Sequence, residues 1–97
     1  MRLARVKEMT TSGPVEANRA NLLGVLLGTD GINNVRFSCH NGTSSSDQKV
    51  VPSATYDAAA LGLNGVMFTF LVHCPNGIYF NEESGTNYEC IVYYETY

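Results

Sequence analysis

The run Val66-Met67-Phe68-Thr69-Phe70-Leu71-Val72-His73-Cys74, closed by Pro75-Asn76-Gly77, decides the fold class. Taken in alternation, Val66, Phe68, Phe70, Val72 and Cys74 fall on one face and Met67, Thr69, Leu71 and His73 on the other. Successive side chains of a strand point to opposite faces, so a period of two marks β-structure, whereas a helix repeats every ~3.6 residues. The first face is wholly apolar and the second is mixed. Aromatic and β-branched side chains, which strands prefer, make up most of the run.

The same period recurs on either side. Val35, Phe37 and Cys39 alternate with Arg36, Ser38 and His40, while Leu22–Leu27 is apolar on both faces and suits a central strand. Turn signals stand between the runs at Ser12-Gly13-Pro14, Asp30-Gly31, Asn41-Gly42, Asn64-Gly65, Asn76-Gly77 and Ser84-Gly85. Asx-Gly pairs supply the positive φ angles of tight hairpins, and most of the gaps between the signals are about 8 to 12 residues, the spacing of a sandwich or barrel. Pro52 interrupts Val50–Ala54 and places it at an edge or a bulge. Asn41–Gln48 reads as a polar loop, and Asp57-Ala58-Ala59-Ala60-Leu61-Gly62 as one helical turn with a capping Asp and a terminating Gly. The expected fold is all-β: an antiparallel, jelly-roll-like β-sandwich of about seven or eight short strands. Residues 1–14 form an N-terminal arm or an edge strand, and 15–97 the sandwich domain.

Hydrophobic residues make up 44% of the 97 and charged ones 15%. The usual charged share is roughly a quarter, so surface polarity falls to Ser, Thr, Asn and Gly, as in a turn-rich β protein or one partly covered by partners. A net charge of −3 argues against nucleic acid, which demands a concentrated basic patch. The charge is also skewed. Four of the six basic residues (Arg2, Arg5, Lys7, Arg19) lie in the first fifth, and four of the nine acids (Glu82, Glu83, Glu89, Glu95) in the last, which has no Lys or Arg. The skew reads either as random scatter or as a basic N-terminal segment that meets an acidic C-terminal strand, in the same chain or a neighbouring copy. No run reaches the roughly 18 apolar residues of a membrane helix, and Met1–Glu8 lacks the apolar core of a secretory signal. Three irregularly spaced cysteines make no disulfide framework, so reduced thiols are expected.

No constellation points to catalysis. Cys39-His40 and His73-Cys74 invite a zinc reading, yet strand neighbours face opposite ways, so each pair offers one ligand to a side. The expected arrangement is buried cysteines on the core face and partly exposed histidines on the outer face, with no metal or other cofactor. A Cys/His nucleophile pair fails on the same ground and lacks an orienting group and an oxyanion site. Glu82 and Glu83 diverge if extended, and there is no phosphate loop, zinc-protease helix or dinucleotide fingerprint. Asn41-Gly42-Thr43 matches the N-glycosylation pattern but reads as a hairpin turn, and Tyr79, Phe80 and Tyr88 read as core.

The last run carries the functional signal. Tyr88, Cys90, Val92 and Tyr94 alternate with Glu89, Ile91, Tyr93 and Glu95, so both faces are apolar or aromatic. One face packs into the sandwich. The other is expected to bury against another subunit, where Tyr is enriched. The candidate contact residues are Arg2, Arg5 and Lys7 in the arm and Ile91, Tyr93 and Tyr97 in the last strand.

The order Leu22-Leu23-Gly24-Val25-Leu26, a strand ending near Asn41-Gly42-Thr43-Ser44, Asn76-Gly77-Ile78-Tyr79 and finally Ile91-Val92-Tyr93-Tyr94-Glu95 resembles small virion structural proteins of tailed bacteriophages. The resemblance covers roughly residues 18 to 95. It implies a non-enzymatic virion protein made in the host bacterial cytoplasm. Several such proteins act as capsid decoration (cement) proteins or as fibre-like adaptors, often as trimers, and the role expected here is a decoration protein that reinforces the shell through contacts with the major capsid protein or another virion protein, by preference as a homotrimer. The alternative within this resemblance is a receptor- or glycan-binding sandwich module of a tail fibre, using Asn41–Asp47 and nearby aromatics.

Overall fold

The computed structural model describes residues 4–57 and 66–96. Eight strands run through them: β1 Arg5–Met9, β2 Gly13–Glu16, β3 Ala20–Gly28, β4 Val35–Asn41, β5 Gln48–Tyr56, β6 Val66–Cys74, β7 Ile78–Ser84 and β8 Glu89–Thr96. They form two four-stranded sheets, β1-β8-β3-β6 and β2-β7-β4-β5, and every strand pairing among the described residues is antiparallel. The pairs β1·β8, β2·β7, β3·β6 and β4·β5 are nested, as if one long hairpin had been wrapped into two layers. That order is the eight-stranded jelly roll.

The nesting corrects one expectation. Asp30-Gly31, Asn76-Gly77 and Ser84-Gly85 are not in-sheet hairpins: each carries the chain from one sheet to the other. Among the described residues, only β4 and β5 are consecutive in sequence and adjacent in a sheet. A Gly with positive φ serves a crossover as well as a hairpin. Gly77 has φ of 106°, and a Cβ there would stand 2.6 Å from the Glu16 carbonyl oxygen, so only glycine fits. Gly24 meets a different limit, since its Cβ would lie 2.7 Å from the Phe68 carbonyl oxygen, beside the register shift between Leu22 and Gly24. The expected helical turn after Asp57 lies outside the described residues.

Alternation packs the interlayer. Ala20, Leu22, Val25 and Leu27 of β3 and Cys90, Val92 and Tyr94 of β8 face Val35, Phe37 and Cys39 of β4 and Ile78 and Phe80 of β7, all buried. Leu22–Leu27 belongs to a central strand, flanked by β8 and β6, and Pro52 sits on the edge strand β5. Aromatic rings link the layers: Phe80 lies 5.3 Å from Phe37, Phe37 5.0 Å from Tyr56, and Tyr56 4.9 Å from Phe68 in the opposite sheet. At the other end, Tyr88 donates its hydroxyl hydrogen to Glu82 Oε1 at 2.7 Å, and the Glu82 amide donates to Ser12 Oγ at 2.7 Å.

Phe37 is wholly buried and touches two of these rings. Phe37→Ala is expected to lower stability by about 3–5 kcal/mol, read from the shift of the urea midpoint, with the denaturant slope unchanged.

Candidate functional site

The basic N-terminal segment does meet the acidic C-terminal strand, and within the same chain: Arg5, Val6, Lys7 and Glu8 stand opposite Tyr94, Tyr93, Val92 and Ile91. Directly opposed residues share a face, and this splits the sequence-derived contact set. Ile91 and Tyr93 lie on the outer face of the β1-β8-β3-β6 sheet, half-buried. Arg5 and Lys7 oppose the inward residues Tyr94 and Val92, so they sit on the other side of the edge strand, exposed. Arg2 and Tyr97 lie outside the described residues. The four described candidates therefore fall on two sides of the sheet.

The outer face gathers residues that strand-by-strand reading left scattered. Val6 of β1 stands opposite Tyr93, Leu26 of β3 opposite both Ile91 and Met67, and Leu71 of β6 shares the parity of Met67. Leu71 is 73% exposed, Val6 61% and Met67 45%. Between Leu26 and Ile91 a depression of about 120 Å³ opens, bordered by Glu89. Glu8, Glu89, Glu95, Asn21 and His73 ring this apolar centre. The Asn21 amide donates to Glu95 Oε1 at 2.9 Å, and Asn21 Oδ1 lies 3.1 Å from His73 Nδ1. An apolar centre inside a polar rim is the anatomy of a protein interface.

The outer face of the second sheet is unlike it. Arg36 Nε lies 3.0 Å from Glu83 Oε2, Ser53 Oγ donates to Glu83 Oε1 at 2.9 Å, and Lys49 Nζ donates to Ser53 Oγ at 2.8 Å. This exposed network contributes little energy, about 0–1 kcal/mol per pair, but keeps the face polar.

On that second face the structure overturns the expectation that His40 is partly exposed: it is 1% exposed and Ser38 is fully buried. Ser38 Oγ lies 2.8 Å from His40 Nε2, and His40 Nδ1 lies 2.8 Å from the Asp47 carbonyl oxygen. The carbonyl can only accept, so His40 donates from Nδ1 and, as the neutral ring, accepts at Nε2 from the Ser38 hydroxyl. Tyr79 meets the imidazole edge-on at 6.5 Å, and Asn81 donates to Ser38 Oγ at 3.5 Å. This is the polarity of a serine nucleophile and its base, but a hydroxyl with no exposed surface admits no substrate. The pair instead pins the loop at 42–47 to the sheet. Their shared face was legible from the alternation of Ser38 and His40; their burial was not, because Tyr79 and Asn81 come from a distant strand.

The loop itself is satisfied internally. Asp47 Oδ2 accepts from the amides of Thr43 and Ser44 at 2.9 and 3.1 Å. Among the described residues no group of three His, Cys, Asp or Glu side chains is placed to hold a metal ion. His73 is exposed, as expected, while Cys39, Cys74 and Cys90 are free thiols buried in the core. Burial pushes the Cys90 thiol up to about 12. Cys39 is raised chiefly by burial and further by the nearby Cys90 and Cys74, and Cys74 and Tyr88 are raised by burial first.

No protein-family model matches the chain, and a search of curated proteins finds no match.

An acid whose pKa is raised by folding leaves stability intact below its unfolded value and lowers it as pH climbs toward the folded value. The thiols are therefore expected to leave the urea midpoint flat up to pH 9 and to depress it from 9 toward 12. Cys90→Ala should remove part of that slope. A thiol-labelling reagent should react fully only after denaturant is added.

Proposed function

We propose that the chain is a virion structural protein of a tailed bacteriophage, a decoration protein that docks the outer face of its β1-β8-β3-β6 sheet on a neighbouring shell subunit. The observation that carries this reading is the unlikeness of the two outer faces. One is a polar network, and the other presents Val6, Leu26, Met67, Leu71, Ile91 and Tyr93 inside an acidic rim. The sandwich has one core, between its sheets, and contiguous apolar surface outside it marks an interaction site. Jelly rolls build viral shells among other things, so the fold supports the reading by analogy alone. The sequence resemblance adds the phage context.

The mechanism is stabilisation by linkage: a protein that binds the assembled shell and not its dissociated subunits favours assembly. Tyr93 and Ile91 serve as anchors at the centre, and the rim of Glu8, Glu89 and Glu95 selects a partner with Lys or Arg at its own margin. Binding at this rim weakens as salt rises.

The test uses shells of the phage that encodes the chain, stripped of it, mixed with purified protein and pelleted. The expected result is saturable retention that Tyr93→Ser with Ile91→Ser weakens by about 2 kcal/mol or more, roughly thirtyfold. Failure of the unaltered protein to pellet with shells overturns the virion role. Retention unaffected by the double substitution overturns this face as the docking surface.

A further inference from the structure

The edges of the sheets carry a second message. A free strand edge offers unpaired amides and carbonyls to any other strand, and proteins blunt such edges with charge, proline, bulges or brevity. Three of the four edge strands here are blunted. β1 exposes Arg5, Lys7 and Glu8; β2 has four residues, contains Pro14 and is irregular between Pro14 and Glu16; β5 carries Lys49 and Pro52. β6 is the exception. It is nine residues long, lies at the end of its sheet among the described residues, and holds no Asp, Glu, Lys, Arg or Pro.

We propose that β6 pairs antiparallel with β6 of a second copy across a twofold axis, joining two four-stranded sheets into one of eight. The chemistry of the strand fits its own image. In a register centred on residue 70, residue 69 opposes 71, 68 opposes 72, and 67 opposes 73. The offset is even at each position, so inward residues meet inward ones and the outer face stays outer. No like charges meet at the axis, which is the usual bar to isologous pairing.

The same axis brings the two β5 edges toward each other, and with them a cleft of about 400 Å³ that opens between β5 and β6 against Phe37, Val51, Pro52, Tyr56 and Phe68. Pro52 and Lys49 keep β5 from pairing in turn, so the join is confined to one sheet. The apolar outer face becomes continuous across the pair, because Met67 and Leu71 adjoin their counterparts. This inference stands on the strand edges and does not require the virion reading. It replaces the trimer implied by the sequence resemblance with a pair.

Light scattering on the full chain across a dilution series, in reducing buffer, is expected to give a mass twice 10.6 kDa that falls to the single-chain value on dilution. Thr69 and Leu71 are exposed, so charge there leaves the fold intact by circular dichroism. Thr69→Lys with Leu71→Lys sets like charges opposite each other and should weaken the pair by about tenfold or more. Thr69→Lys with Leu71→Glu sets opposite charges across the axis and should restore it. In the unaltered protein, amide exchange along β6 should slow with concentration while β1 stays unchanged. Tyr93→Ser with Ile91→Ser should leave the mass of the pair unaltered, which separates this contact from shell docking. A single-chain mass at every concentration, a threefold mass, or a pair that survives the two lysines would overturn the proposal, as would β6 amides indifferent to concentration.

Discussion

Everything in this molecule depends on the nesting of its strand pairs. Because β1 lies on β8, β2 on β7, β3 on β6 and β4 on β5, the chain alternates between layers at nearly every described connection. Alternation within each strand then directs one row of side chains into the space between the layers, where Phe37, Leu22, Leu27 and Phe80 meet. The other row is released to the outside. The character of each outer face is therefore free of the demands of folding, and the two faces have been used differently.

That freedom explains where functional character resides. The core accommodates three thiols, an aromatic chain and a Tyr–Glu hydrogen bond, none of which reaches solvent in a form suited to chemistry. The polar second sheet ties down its own loop through His40 and Asp47. What remains is a sheet face with an apolar centre and an unguarded edge beside it. Both proposed contacts lie on the sheet that contains the last strand.

Much of this was legible in the residues. Strand alternation at Val35–Cys39 and Val66–Cys74, the two-faced apolar run at Leu22–Leu27 and the edge position of Pro52 follow from local rules, and the structure has each of them. Crossovers were not legible, because a turn such as Asn76-Gly77 looks the same whether it reverses within a sheet or passes between sheets. Burial of His40 was hidden for a related reason, since its cover comes from Tyr79 and from a loop folded back by Asp47. For the candidate site, Ile91 and Tyr93 were found by their alternation. Val6, Leu26, Met67 and Leu71 join them only once pairing registers are known, and the same registers separate Arg5 and Lys7 from the group.

The position of β8 has a consequence for synthesis. It lies between β1 and β3, so β1 gains its partner, and β3 its second one, only when residues 89–96 have left the ribosome. β1 and β8 begin 84 positions apart, at residues 5 and 89. At the usual elongation rate, β1 therefore waits roughly 4 to 17 s for its strand. During that interval β4–β5, β3–β6 and β2–β7 can close in turn, while β1 and the edge of β3 that β8 covers stay open. On a polysome, the late arrival of β8 leaves that open edge as the place where a neighbouring nascent chain could pair.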